Sequence, residues 1–205
     1  MSRIREKNEQ IILQAASQVF ADKGYAATKT LDVAKLSGLP KTNIYYYFKT
    51  KENLYRSVLE SLVEPLLEAS RPFEDNPEDP VKALSAYIRA KVRISRDYPF
   101  ASKVFANEIM HGAPHMPEEV MTQLNQQTQQ LAACIDNWVA QGRMAKVSAH
   151  HLLFTIWAAT QTYADFEWQI CAALGKPRLD EQDFDEATRL ITRLVLRGCD
   201  LPVSA

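Results

Sequence analysis

The sequence predicts an all-α fold, an N-terminal three-helix helix-turn-helix domain followed by a C-terminal helical bundle. Three observations predict it. Apolar residues recur at three- and four-residue spacing through most of the 205 residues, and no stretch of useful length alternates with period two. Glycine is scarce, with six in the chain, which helices tolerate and turn-rich β folds do not. Proline and glycine fall mainly between the periodic segments. With 46% hydrophobic residues the chain can bury a sizeable core.

Each element follows in order. Ile11, Ile12, Ala15, Ala16, Val19 and Phe20 mark an amphipathic helix over about 4–23, stopped by Gly24. Thr28 or Thr30 is suited to N-cap a short second helix carrying Leu31, Val33 and Ala34. Gly38 makes a tight turn, and Pro40 fits the first turn of a third helix that ends at Phe48. A fourth helix is expected from Lys51 to about Ser70, with Leu54, Val58, Leu62 and Leu66 at four-residue spacing. Residues 71–80, RPFEDNPEDP, read as a linker because prolines and acids dominate. Helical patterns resume at about 80–97, 99–110, 117–142, 148–173 and 183–199. The expected domains are 1–50, the helix-turn-helix, and 51–205, the bundle.

Composition limits the function classes. Cys134, Cys171 and Cys199 are odd in number and lack CxxC spacing, which argues against a disulfide framework. No apolar run approaches the roughly 20 residues that cross a bilayer, and the first ten residues lack the apolar core of a signal peptide, so a cytoplasmic protein is expected. The formal charge of -1 hides an asymmetry. Residues 1–51 hold nine Lys/Arg and four Asp/Glu; the remainder holds 15 and 21. A basic end on an acidic body suits contact with a polyanion at that end alone.

The basic end also has the right geometry. Ala34 and Gly38, small residues four apart, let a second helix pack closely on the first, with Leu39 and Ile44 filling the shared core beside Phe20 and Val33. That leaves Lys41, Thr42, Asn43, Tyr45 and Tyr46 outward on the third helix, where amide and hydroxyl groups reach base edges and Lys and Tyr grip phosphates. Thr28, Lys29 and Lys51 lie at helix starts, where the helix dipole also favours a phosphate. Tyr47 and Phe48 read as core aromatics. Residues 10–58, carrying F-x3-GY-x2-T, DVA, SGL and IYYYF-x2-K-x2-L, resemble the N-terminal domain of TetR-family transcriptional regulators. The resemblance implies a homodimer whose two reading heads address a palindromic operator in double-stranded DNA, under control of a small-molecule effector. Repression is the family's commonest mode.

In the bundle, Phe154, Trp157, Gln161, Ala164 and Trp168 form one stripe. A buried glutamine among aromatics needs partners, because an unpaired polar group costs about 1–3 kcal/mol. A ligand with amide-like edges, ordered water or a neighbouring side chain would serve. Segments 87–114 and 151–170 further resemble a pyrimidine-utilisation subgroup of the family. That implies a pyrimidine or a breakdown product as effector, with Trp157 stacking, Gln161 pairing with an amide edge, Lys91 or Ser95 meeting a carbonyl, and Phe105 and Tyr163 closing the box. The fourth helix departs from this pattern, carrying Pro65 and Leu66 where a lining aromatic is expected.

Other groupings point elsewhere. Glu108 with His111-x3-His115 resembles metal-ligand spacing, but Gly112 and Pro114 break the helix that would align them, so no metal site is expected. No nucleophile–base set is visible, so the chain does not read as an enzyme and no cofactor is expected. The last helix sets Leu190, Ile191, Leu194 and Val195 beside Arg189, Arg193 and Arg197, as a dimer face would. The rival class is a DNA-organising protein with no effector.

Overall fold

The computed structural model describes residues 3–203, and every regular element in that range is an α-helix. The chain divides into two compact units. One holds the chain up to Val63 together with Phe100–Val120; the other holds Glu64–Pro99 and the chain from Met121.

The first unit is built from α1 (Arg3–Ala27), α2 (Thr30–Ser37), α3 (Lys41–Phe48), α4 (Lys51–Glu60) and nearly all of α8 (Pro99–Met110). Helix α1 packs on α2 and α4, α2 on α3, and α3 on α4. Their shared core holds Ile12, Ala16, Val19, Phe20, Val33, Ile44, Phe48, Leu54 and Val58, all buried. Leu31 turns outward instead and Leu39 is only half-buried. Helix α1 breaks at Gly24, whose φ of 74° and ψ of 168° lie where a side chain is strained, and one more turn follows the break. Neither Thr28 nor Thr30 caps α2. Lys29 holds the cap position, and its N–H donates to the Asp32 carboxylate at 3.3 Å. Pro40 likewise sits at the cap of α3, one residue before the helix. Thr50 caps α4 by accepting the Asn53 N–H at 3.0 Å.

The expected fourth helix is two helices. It stops at Glu60 and resumes as α5 (Val63–Ala69). Pro65 explains the break: it has no N–H to donate back to Ser61, and its ring crowds that carbonyl.

The second unit has α7 (Pro80–Asp97) as its spine, with α6 (Arg71–Asp75), α10 (Ala149–Asp165) and α12 (Glu181–Gly198) packed on it. Helix α9 (Glu118–Ala140) supplies Trp138, and α11 (Glu167–Leu174) follows α10 after a one-residue interruption at Phe166. The segment expected as a linker is ordered. Phe73 on α6 is buried, stacks on Trp138 with ring centroids 5.4 Å apart, and meets Tyr87 edge-on. Trp138 donates its indole N–H to the Pro77 carbonyl at 2.6 Å, and Arg143 binds both the carbonyl and the carboxylate of Glu78. The prolines and acids are there to be gripped by partners some 60 residues away in sequence. Helix α7 is capped by Asp79, which accepts the Lys82 N–H at 3.0 Å, and α12 by Asp180, which accepts the Asp183 N–H at 3.1 Å.

The break at Gly24 gives a clean test of backbone strain, because a β-carbon there would meet nothing within 4 Å. Gly24→Ala is expected to destabilise the chain by about 1–3 kcal/mol through backbone conformation alone. Urea unfolding checks it; unchanged stability would mean that the left-handed conformation at Gly24 is not required.

Candidate functional site

Two sets of residues came out of the sequence, and the structure treats their members differently. On the first unit, Lys29, Lys41, Thr42, Tyr45 and Tyr46 are exposed, and Asn43 is half-buried. Five of the six lie on α3. Tyr46 is 61% exposed, with the Lys49 ammonium 5.5 Å and the Arg5 guanidinium 5.9 Å from its ring centre. Lys41 lies 5.4 Å from the Tyr45 ring, and the Tyr45 hydroxyl shares a hydrogen bond of 3.2 Å with Thr30. That bond, followed by the nearby Lys41 charge, lowers the Tyr45 pKa. The face therefore combines cations, phenol hydroxyls, an amide and a hydroxyl, the groups that bind phosphates and base edges.

Thr28 and Lys51 stand apart from this face. Thr28 is 2% exposed, and its hydroxyl donates to the Gly24 carbonyl at 2.7 Å. The Lys51 ammonium donates to the carbonyls of Tyr25, Ala26 and Thr28 at 2.9, 3.4 and 3.2 Å and lies over the Tyr25 ring. Both side chains are committed to the connection between α1 and α2, whose carbonyls would otherwise lack donors. An outward role for either requires giving up those bonds.

The second set gathers along the seam of α7 and α10. Tyr87, Lys91 and Ser95 recur every four residues on one face of α7. The Trp157 indole N–H donates to the Tyr87 hydroxyl at 2.7 Å, and the Ser95 hydroxyl donates to the Thr160 carbonyl at 2.8 Å. These two bonds stitch the helices one turn to either side of Lys91. Lys91 itself is 5% exposed and donates no hydrogen bond to a described residue. Burial pulls its pKa down to about 8, against a smaller raising effect of Asp165. The Gln161 side chain, half-buried on α10, likewise makes no hydrogen bond to a described residue. Tyr163, also half-buried, packs on Phe184 of α12, 6.2 Å between ring centres. Phe105 belongs to the first unit and is not among the residues of this seam. Tyr87 and Phe73 were missed in the sequence. Tyr87 was not singled out within its helical segment, and Phe73 sat in a supposed linker.

The Glu108, His111 and His115 grouping holds no metal geometry, and no cluster of three or more His, Cys, Asp or Glu suited to a metal occurs among the described residues. No helix of the described residues is long and apolar enough to cross a membrane.

A helix-turn-helix with an exposed basic and polar third helix, followed by a helical unit with a buried lysine, is the make-up of a ligand-responsive DNA-binding regulator. Residues 12–58 match the model of the bacterial regulatory proteins of the tetR family, and residues 59–202 match that of the YcdC-like protein C-terminal region. The chain belongs to the TetR family and is a helix-turn-helix transcriptional regulator; regulators of this family bind operator DNA, respond to ligands and act as dimers. It is 36% identical over 197 residues to the HTH-type transcriptional regulator RutR of Escherichia coli strain K12, covering 96% of this chain and 92% of that one. The HTH-type transcriptional regulator QacR of Staphylococcus aureus is 50% identical over 48 residues, 23% of this chain and 26% of that one. Among solved structures, the ketosteroid transcriptional regulator KstR2 of Mycobacterium tuberculosis has a TM-score of 0.77 at 16% identity, covering 97% of this chain and 96% of that one. AibR, solved with isovaleryl coenzyme A and operator DNA, has a TM-score of 0.64 at 17% identity, covering 91% and 97%. These last two similarities show the shared fold.

Lys91 makes the stability of the free protein depend on pH in a stated direction. Its folded pKa lies below the unfolded value, so between about 8 and the ordinary lysine range the unfolded chain binds more protons. The penalty is full below about pH 8 and is relieved as pH rises through that window. Lys91→Met is expected to raise stability at pH 7 by roughly 1–4 kcal/mol, the range seen when buried charge is replaced by apolar volume, and to remove this rise. Urea unfolding between pH 7 and 10 checks both; a variant less stable at pH 7 than the parent would contradict a buried, desolvated ammonium.

Proposed function

We propose that the chain is a dimeric repressor whose grip on a palindromic operator is released by a pyrimidine or pyrimidine breakdown product bound in the α7–α10 seam. The observation that carries this is Lys91, a buried lysine on α7 set between the two hydrogen bonds that join α7 to α10, with the half-buried Gln161 on α10. Burying such groups costs stability, and a ligand that supplies hydrogen-bond partners recovers it. A uracil-like ring has two N–H donors and two carbonyl acceptors on a flat frame. Lys91 suits a carbonyl, Gln161 an adjacent N–H and carbonyl edge, and Trp157 a ring face. Tyr87, which accepts the Trp157 N–H, keeps its own proton to donate. Ser95 already donates to Thr160, so its remaining capacity is as an acceptor. Tyr163 completes the proposed set, and Phe105, which belongs to the first unit, is left out of it. Similarity to RutR supports the same assignment.

In functional terms, 1–50 would read the operator and 51–205 would bind effector and partner subunit. Lys29, Lys41, Thr42, Asn43, Tyr45 and Tyr46 are the proposed contacts, with Thr28 and Lys51 shaping the frame from within. The dimer face would be α10 with α12, which pack side by side. Leu190 and Leu194 of α12 and Phe154 of α10 are 46%, 62% and 46% exposed, and Arg189, Arg193 and Arg197 border the α12 stripe. Exposed apolar stripes of this kind mark interfaces. We assign the chain no catalytic role, and a regulator of bacterial operators works in the cytoplasm.

Thermal shift with uracil, dihydrouracil and their open-chain catabolites tests the effector assignment. One of them is expected to stabilise the parent by mass action. Gln161→Ala and Lys91→Met are each expected to weaken that effect at least 10-fold in ligand concentration while leaving operator affinity intact. Full response in both variants would place the effector elsewhere, and a blank screen would favour the effector-free DNA-organising alternative. Separately, Leu194→Glu is expected to yield monomers in sedimentation velocity; an unchanged dimer would remove α12 from the interface.

A further inference from the structure

The first unit contains a buried carboxylate that neither DNA reading nor effector binding uses. Glu108, near the end of α8, is 3% exposed. Its Oε1 accepts the backbone N–H of His115 at 2.5 Å. Its Oε2 accepts the Tyr55 hydroxyl at 3.0 Å and faces His115 Nδ1 at 3.3 Å. His111, in contrast, pairs with the carbonyl of Asn107. The histidine spacing that resembled a metal site thus encodes a closed loop from Glu108 to His115. Ala113 within that loop has a φ of 58°, a conformation costing a non-glycine residue roughly 1–3 kcal/mol. Such strain persists where surroundings over-determine it. Here the Ala113 N–H donates to the Glu108 carbonyl at 2.9 Å, and the Glu108 side chain holds His115 two residues on.

The His115 ring lies 4.2 Å from the Tyr25 ring centre and 5.3 Å from that of Tyr55. Tyr25 directly follows the break at Gly24. Its carbonyl, with those of Ala26 and Thr28, is held by Lys51, and Lys29 then caps α2. His115 therefore rests on the short connection that sets where the first helix of the helix-turn-helix pair begins. Yet it is carried by Phe100–Val120, a strap packed in the first unit while the chain on both sides of it belongs to the second.

We propose that Glu108 and His115 are positioning residues for operator binding, a proton-dependent hold through which this strap fixes the α1–α2 connection. The proposal rests on the operator-binding assignment above. A protonated imidazole and a carboxylate form a charge-assisted pair, whereas a neutral ring offers at most an ordinary hydrogen bond. The groups facing His115 are Glu108 from α8, Tyr55 from α4 and Tyr25 from the end of α1, with Lys51 over the Tyr25 ring and Glu52 and Arg56 acting on Tyr25 through space. Burial raises the pKa of both phenols, and the Glu108 carboxylate adds to the effect at Tyr55. Both phenols therefore keep their protons more firmly than a free tyrosine does.

The test uses the full-length dimer and a duplex selected by it from random sequence, with dissociation constants measured at pH 6 and pH 8. The parent is expected to bind about 5-fold more tightly at pH 6, the low end of coupling between sites. His115→Gln keeps a hydrogen-bonding amide without a titrating charge. It is expected to match the parent at pH 8 and to lose the gain at pH 6, with its melting temperature reported beside each value. Glu108→Gln is expected to behave likewise; if that variant fails to fold, the half-buried His115 still decides. A His115→Gln variant with the parent's pH profile, or a parent with no profile at all, overturns the proposal. A parent that selects no duplex would count against operator binding itself.

Discussion

A lysine side chain buried on the central helix is the constraint around which the second unit is arranged. Lys91 sits midway along α7, which carries α6, α10 and α12, so its charge lies on the spine of the unit. The bonds Trp157–Tyr87 and Ser95–Thr160 fix α10 one turn to either side. Packing alone would select an apolar residue there, since an aliphatic side chain of similar volume has no desolvation penalty. A residue that lowers the stability of the free fold, placed where two helices are stitched together, is a candidate for a binding role rather than for packing.

The reading head follows the opposite principle: its polar groups are satisfied internally where they build the frame and left open where DNA would lie. Lys51 shows the first case, covering carbonyls at the end of α1 that no helix bond reaches. Tyr46 shows the second, exposed on α3 and flanked by Arg5 and Lys49. Lys51, at the start of α4, ties that helix to the end of α1 and to the residue before the α2 cap. The open cations would give the face an attraction for phosphates that weakens as salt rises.

Local chemistry was legible in the sequence, and tertiary partnership was not. Gly24, Gly38 and the period of α7 are signals written within a few residues, and they located the helices and the helix-turn-helix motif. Lys91, Trp157 and Gln161 stood out because polar groups on apolar stripes are visible in one dimension. Phe73 was lost to a linker because its burial depends on Trp138, 65 positions later. Pro65 was visible, yet the regular spacing of Leu54, Val58, Leu62 and Leu66 outweighed it, and the break between α4 and α5 was missed. Thr28 and Lys51 have the right chemistry for phosphates, but their carbonyl partners appear only once α1, α2 and α4 have packed. His115 carried a metal-like spacing whose real partner was the glutamate within the same motif.

A small molecule meeting Lys91 would, as proposed, change how tightly the head holds DNA. Fluorescence anisotropy of the selected duplex, titrated with uracil at pH 7 and fixed protein concentration, measures that link directly. The duplex should be released from the parent protein, and the same titration with Lys91→Met should leave it bound. Release that is equal in both proteins would show that the effector acts without Lys91 and would contradict the account.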